Sequence, residues 1–408
     1  MRSRRFVLLP VVLLFAAILA GCGAQSTTPT PGAAAPPATA AAPSPTSPPA
    51  ASTPPPATAT APSPTSPPPT STAPPATAAQ PTTAATSVVR LMTHDSFNVS
   101  EEVVRAFESA NNTRLEVIKA GDAGAALNQA ILSKENPLAD AFFGVDNTFL
   151  GRALENDLFV PYNAQGLDAV PEKFQLDPQH RVTPIDYGDV CLNYDKSFFK
   201  EKSLAPPASL EDLIKPEYKG LTVVENPATS SPGLSFLITT VGHFGETGWE
   251  DYWRQLQAND VLVTDGWEDA YYGQFSGGSG KGSRPIVVSY ASSPPAEVYF
   301  AEPQPAEAPT AAVTGDETCF RQIEFAGVLR NAKNPELAQK LIDFMLSQTF
   351  QEDIPLQMFV FPVNPGATLP EVFVKYAAIP ETPVDVSYEA INANREVWIE
   401  RWTDVVLR

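Results

Sequence analysis

Basic residues are scarce in this chain of 408: 27 Lys and Arg stand against 46 Asp and Glu. A nucleic-acid surface needs clustered Lys and Arg, so this balance excludes one. Histidine occurs three times, as His94, His180 and His243, too scattered for a zinc motif. No G-x-S-x-G is present. The one stretch that evokes a phosphate loop, "GGSGKGSRP" (277–285), has Phe275 where the first glycine belongs and Gly282 in place of Ser or Thr. It reads as a flexible surface loop. Cysteine is equally rare, with Cys22, Cys191 and Cys319 alone. Residues 23–87 carry no charge at all.

The N-terminus has a basic start, "MRSRR", an apolar run, "FVLLPVVLLFAAILA", and then "LAGC" ending in Cys22. A run this short with small residues behind it reads as a cleaved export signal rather than a span. The ending resembles the bacterial lipobox, which implies removal of residues 1–21 and lipidation of Cys22. Acyl chains there would anchor the chain to the membrane by burying CH₂ groups. An ordinary secretory signal with a chance cysteine is the competing reading. Residues 22–87 then form a tether of Ala, Pro, Thr and Ser, in which "PPATAAAPSPTSPP" (36–49) recurs as "PPATATAPSPTSPP" (55–68). It has too few large apolar side chains to offset chain entropy and is expected to be disordered. Polyproline II at about 3.1 Å per residue gives a reach on the order of 200 Å.

All 46 acids, and all but Arg2, Arg4 and Arg5 of the 27 bases, fall in the part expected to fold, 88–408. Two cysteines in an exported domain suggest one disulfide, Cys191 to Cys319. The first elements alternate. "SVVRLMT" reads as a strand, "SEEVVRAFESANN" (100–112) as a helix capped by Ser100, "TRLEVIKA" as a strand, "DAGAALNQAILSKE" (122–135) as a helix capped by Asp122, and "ADAFFGVD" (139–146) as a strand. This is the rhythm of an open α/β sheet with parallel strands, whose carboxyl-end loops face the ligand crevice. "THDSF", "AGDAG" and "GVDN" are such loops. Further on, 186–195, 221–227 and 319–330 read as strands, 287–295 as a strand entering a loop, and 209–220 and 334–354 as helices. The terminal "AINANREVWIERWTDVVLR" reads as a helix with Trp398 and Trp402 sharing a core-facing side.

Three stretches offer ligand chemistry. "TDGWEDAYYGQF" (264–275) sets four aromatic rings among three carboxylates, which is either an ordinary helix with an aromatic inner face or a cradle for an organic cation. In "TSSPGLSFL" Ser231 precedes Pro232 at a helix start, so Ser231 reads as the N-cap, and with Ser230 beside it the helix terminus suits an anion. "VVSYASSPPAEV" delivers Tyr290, Ser292 and Ser293 at the end of a strand.

"MTHDSF", "GVDN", "DYGDVCLNYDK", "TSSPGLSFL", "TDGWEDAYYGQF", "VVSYASSPPAE" and "KNPELAQKLIDFML…FQEDIPLQMFVFPV" follow in order the pattern of thiamine-binding proteins of ABC importers, which the chain resembles over essentially all of 88–408. The resemblance implies a two-lobed type II periplasmic-binding-protein fold, each lobe a mixed sheet flanked by helices, with hinge strands between. It divides the chain into a first lobe begun by 88–187, a second lobe of 188–318, a return strand and helix in 319–360, and a C-terminal segment, 361–408, packing across the lobes. It implies thiamine or its phosphates as ligand, a permease and its ATPase as partners, a monomer, and no cofactor, metal or catalytic residue. Trp267 and Tyr290 match positions packing around thiamine. Ser230 and Ser231 match a turn at the polar or phosphate end, Ser292, Ser293 and Pro294 continue the "SY" loop, and Asp122 matches an acidic loop residue. Ala123 replaces a glycine common in the family, and His94, Ala296 and Phe359 stand where Tyr, Tyr and Trp are common. Asp95, Asp122 or Asp146 would supplement the aromatic attraction for a thiazolium, which cannot lose a proton to neutralise itself. The alternatives are a ferric-ion binder using Tyr271 and Tyr272, a polyamine receptor, and a thiaminase-like enzyme with Cys191 as nucleophile and Asp189 as base.

Overall fold

A computed structural model describes residues 87–408. The expected signal segment, the lipidation site Cys22 and all of the tether but Ser87 lie outside the described residues. Strand β1 (Ser87–Thr93), helix α1 (Glu101–Asn111), strand β2 (Thr113–Lys119), helix α2 (Ala123–Leu132) and strand β3 (Ala141–Asp146) follow in turn. The expected caps are in place: the Ser100 hydroxyl accepts from the Val103 N–H and the Asp122 carboxylate from the Ala123 N–H. β1 lies parallel between β2 and β3. All six residues of β3 are buried, as an apolar run flanked on both faces must be.

After helix α3 (Leu150–Glu155) comes the 13-residue strand β4 (Thr183–Asp195). Helix α4 (Lys196–Lys202), strand β5 (Thr222–Glu225), helices α5 (Ser231–Phe244) and α6 (Trp249–Ala258), strands β6 (Leu262–Thr264) and β7 (Ile286–Tyr290), helix α7 (Pro294–Tyr299) and strand β8 (Thr310–Val313) follow. Strand β9 (Phe320–Val328) then runs back, followed by helices α8 (Pro335–Met345) and α9 (Gln348–Gln357), strand β10 (Phe361–Pro362) and helices α10 (Glu371–Tyr376) and α11 (Tyr388–Val406).

The strand order is β2-β1-β3-β9-β4-β7-β5-β6, with β8 and β10 also on β4. The antiparallel pair β4 and β9 joins the two lobes. The first part of β4 pairs with β9 from Thr183 to Val190, and its remainder pairs with β7 and β8. Cys191 on β4 and Cys319 just before β9 form the expected disulfide, closing 128 residues of sequence. Helix α11 straps both lobes. Near its start Asn392 donates to Glu155 of α3 and the Arg395 guanidinium lies 5.6 Å from the Phe149 ring; near its end Arg401 pairs with Glu246 and with Glu250 of α6, and Trp402 packs edge-on against Trp253.

Three expected elements differ. Residues 209–220 form two short 3₁₀ segments, Leu210–Ile214 and Pro216–Tyr218, because Pro216 holds Lys215 in an extended conformation. The expected single helix over 334–354 is two helices. Ser347 between them is extended (φ −66°, ψ 152°), and its hydroxyl accepts from the Phe350 N–H as the cap of α9. At α5 the cap is Ser230 rather than Ser231: the Ser230 hydroxyl accepts from the Gly233 N–H, which places Ser231 first and Pro232 second in the helix.

Candidate functional site

Between the lobes lies a cleft of about 800 Å³, within the range of small-molecule sites. On the first lobe its wall is made by the loops after β1 and β2. These loops fasten each other: the Asp95 carboxylate accepts from the Gly121 N–H at 3.0 Å, and Lys119 Nζ donates to the Asp95 carbonyl at 2.6 Å. His94 packs over Gly144, whose φ is +97° and where any Cβ would sit 2.3 Å from the imidazole. That position therefore requires glycine. The opposite face of the site comes from the second lobe. Trp267 stacks on Tyr271 at 4.9 Å and 22°, meets Tyr272 edge-on at 5.5 Å, and stands 6.5 Å from Tyr290 at 66°. Its Nε1–H donates to Ser289 Oγ at 3.0 Å, and Ser289 meets Ser293 at 2.8 Å. The indole orientation is thus set by stacking and by a hydrogen bond. Residues Asp269–Gln274 wind as a π-helical turn. Tyr271 is buried with its hydroxyl donating to Glu297, while Tyr272 is 45% exposed.

Hydrogen bonds cross the cleft. Asp122, at the head of α2, accepts from its own helix and, through Oδ2, from the Trp267 N–H at 2.8 Å. The Ala125 N–H donates to the Thr229 carbonyl at 3.2 Å. Gln322 of β9 forms a deeper knot: it accepts from the Tyr290 hydroxyl at 2.5 Å and donates to Ser231 Oγ at 2.7 Å and to Asp146.

The expected site residues divide. His94, Asp95, Asp122, Ala123, Ser231, Trp267, Tyr290, Ser293, Ala296 and Phe359 line the cleft. Ser230, Ser292, Pro294 and Asp146 do not. The Ser230 hydroxyl caps α5, the buried Ser292 hydroxyl has no partner among the described residues, and Pro294 opens α7. Asp146 is fully buried, accepting from Thr148, Phe149 and Gln322. Sequence reasoning missed Glu324 and Gln322. Their signal was present in "FRQIEF": polar residues two apart on a strand share one face, and on a strand as apolar as β9 that face needs partners.

The cleft is acidic. Asp95, Asp122, Asp265, Glu268, Asp269 and Glu324 line it, against Lys119 and His94. His94 Nε2 lies 3.3 Å from Glu324 Oε1. Burial alone would lower the His94 pKa, but Glu324 above all, then Asp122 and Asp95, raise it on balance. Glu324 is itself pushed up by burial, yet His94 above all, and then its neighbour Asp186, leave it low. Burial and Glu324 push Asp186 well above the carboxylate range, so Asp186 holds the proton of that pair. Burial raises Asp122, opposed by the Trp267 and Ala123 N–H groups, and lifts Glu225 well up. Tyr290 and Tyr271 are both held well above ordinary phenols, first by burial and then by carboxylates. They are neutral phenols, not phenolates.

The family model for bacterial extracellular solute-binding proteins matches residues 136–386. The thiamine-binding periplasmic protein of Salmonella typhimurium is 32% identical over 329 residues, covering 79% of this chain and 95% of that one. The one from Escherichia coli K12 is 32% identical over 330 residues, with the same coverage. Among solved structures, a periplasmic thiamin binding protein superposes with a TM-score of 0.69 at 31% identity, over 79% of this chain and 96% of that one. An apo ferric ion-binding protein A from Pasteurella haemolytica, 18% identical with a TM-score of 0.62 over 78% of this chain and 97% of its own, shares the fold. With two lobes joined by crossing strands, a ligand-sized cleft between them and this kinship, the chain belongs to the bacterial extracellular solute-binding proteins and is a substrate-binding protein of the type II periplasmic fold.

Proposed function

We propose that the chain captures thiamine outside the cytoplasm and hands it to an ABC permease driven by a separate ATPase. It would act as a monomer held to the membrane through lipidated Cys22. The observation that carries the reading is the wall formed by Trp267, braced by Tyr271 and joined by Tyr290, in a cleft whose charged residues are mainly carboxylates. A thiazolium is a fixed cation. An aromatic face attracts such a cation by roughly 0.5–2 kcal/mol, more as water is excluded, and the carboxylates supply the rest of the negative potential. The relatives named thiamine-binding, matched over nearly their whole length, support the same ligand. Entry is between open lobes, and closure is stabilised by ligand contacts that the open form lacks.

The alternatives fit less well. Ferric ion is commonly held by phenolates, and here Tyr271 is turned under Trp267 onto Glu297. A thiaminase-like role needs a free thiol at 191, and Cys191 is bonded to Cys319 while Asp189 is paired with Arg321. A linear polyamine is also cationic and would be attracted by the same aromatic faces, but it has no flat ring of its own to lie against them. Calorimetry with thiamine, its monophosphate, its pyrophosphate, a polyamine and ferric ion tests the reading. Thiamine is expected to bind, and Trp267→Ala to weaken it at least tenfold with the circular dichroism spectrum unchanged. Binding of ferric ion alone, or unchanged affinity in the variant, would count against it.

A further inference from the structure

Among the described residues His94 is the one imidazole in the cleft, and carboxylates face it from several elements. Glu324 of β9 stands at 3.3 Å, with Asp186 of β4 paired beside it on the next strand, Asp122 at the head of α2 and Asp95 in its own loop. Asp146 of β3 lies deeper, next to Glu324 and bound to Gln322. Lys119 at the end of β2 is engaged with the Asp95 carbonyl, and the Tyr290 phenol of β7 is neutral. The His94–Glu324 contact is within ion-pair distance, yet among the described residues Nε2 has no aligned hydrogen-bond acceptor. The imidazole is also pinned over Gly144 and tilted against Phe143 at 5.7 Å. Those contacts hold the ring on the first-lobe wall of the cleft.

We propose that His94 is the exchangeable countercharge of this site: protonated in the empty cleft it balances the carboxylates around it, and a ligand bearing a fixed positive charge displaces that proton to solvent. The inference rests on the cationic-ligand reading above. The imidazolium loses its Nε2 proton to water, the neutral ring keeps its place, and the ligand's charge takes over the balance. Two cations in one low-dielectric cleft repel strongly, and histidine is the side chain able to yield near neutral pH. The site thereby reads charge as well as shape, since a neutral ring of the same form gains nothing from the exchange.

The test is titration calorimetry on the whole exported chain at pH 7 in PIPES and in Tris, which differ in ionisation enthalpy. Thiamine is expected to show a buffer-dependent heat corresponding to release of part of one proton. Its affinity should rise by up to ~tenfold per pH unit on the acid side of the His94 titration and level off above it. An analogue with a neutral thiophene in place of the thiazolium should bind without release; its aminopyrimidine is the same, so proton uptake there cancels in the comparison. His94→Gln should bind thiamine with no buffer dependence and a flatter profile between pH 6 and 8. Buffer-independent heat for thiamine bound to the natural protein overturns the proposal. So does release retained in His94→Gln, or lost instead in Asp146→Asn. If His94→Gln does not fold, the neutral analogue decides alone. If thiamine gives no binding heat in any arm, it is the functional reading that fails, and this inference with it.

Discussion

Trp267 is held from three directions: Tyr271 lies beneath it, Ser289 accepts from its indole N–H, and Asp122 accepts from its backbone across the cleft. Its ring plane is therefore set before a ligand arrives, which lowers the ordering cost of binding. Asp146 is a different kind of residue. Burial lifts its pKa to about 6, Thr148 and Gln322 pull it back, and Glu324 adds to the rise. The folded protein holds this proton more tightly than the unfolded chain does. The stability it contributes is complete below the ordinary carboxylate range and is lost as pH rises through about 6. Relative to Asp146→Asn, the natural protein should lose about 2 kcal/mol between pH 4 and pH 8. Any hydrogen-bond cost of asparagine is independent of pH and drops out of that difference. Denaturant titrations giving parallel stability curves for the two proteins would refute the assignment.

Among the elements, α2 and the segment leading into α5 close on each other. A Cβ at Gly124 would meet the Thr229 carbonyl at 2.7 Å and the Phe149 ring at 2.9 Å. Thr229 is on the opposite lobe, so Gly124→Ala should prop the cleft open. Alanine favours an isolated helix by about 1 kcal/mol over glycine, which offsets crowding against Phe149 within the lobe, so a loss of affinity without a loss of stability reports on closure. Overpacking of roughly 1–2 kcal/mol predicts about tenfold weaker thiamine binding with the melting temperature not greatly changed. Undiminished affinity would mean that this contact is not part of the bound state. The α8–α9 break carries a related lesson. Apolar periodicity runs through 334–354, and the stop depends on a single serine whose side chain satisfies the next helix.

In the whole molecule, β4, β9 and α11 link the lobes, and the disulfide joins the first two. It is fully buried with Ala291. With its ends 128 positions apart in sequence, chain entropy alone gives about 4–5 kcal/mol, and typical measured values are about 2–4 kcal/mol. Cys191→Ala with Cys319→Ala should be destabilised by that smaller amount in denaturant. Thiamine affinity should be nearly unchanged, because neither cysteine lines the cleft. A loss of binding in a folded double variant would place the bridge in the hinge mechanism instead.

Much of this was legible in local sequence. Strand and helix periodicity, the Ser100 and Asp122 caps, the pairing of Cys191 with Cys319, and the rings at 267 and 290 follow from side-chain type and spacing, or from resemblance carried by ordered motifs. The tertiary structure alone decided which carboxylates face the cleft. Asp95 and Asp122 line it, Asp146 from an equally promising loop turns inward, and Glu324 enters from a strand distant in sequence. The reason is physical: a side chain's direction on a strand is local, but whether that direction meets water, ligand or another carboxylate depends on pairings made across some 200 residues of chain, such as His94 with Glu324 and Asp146 with Gln322.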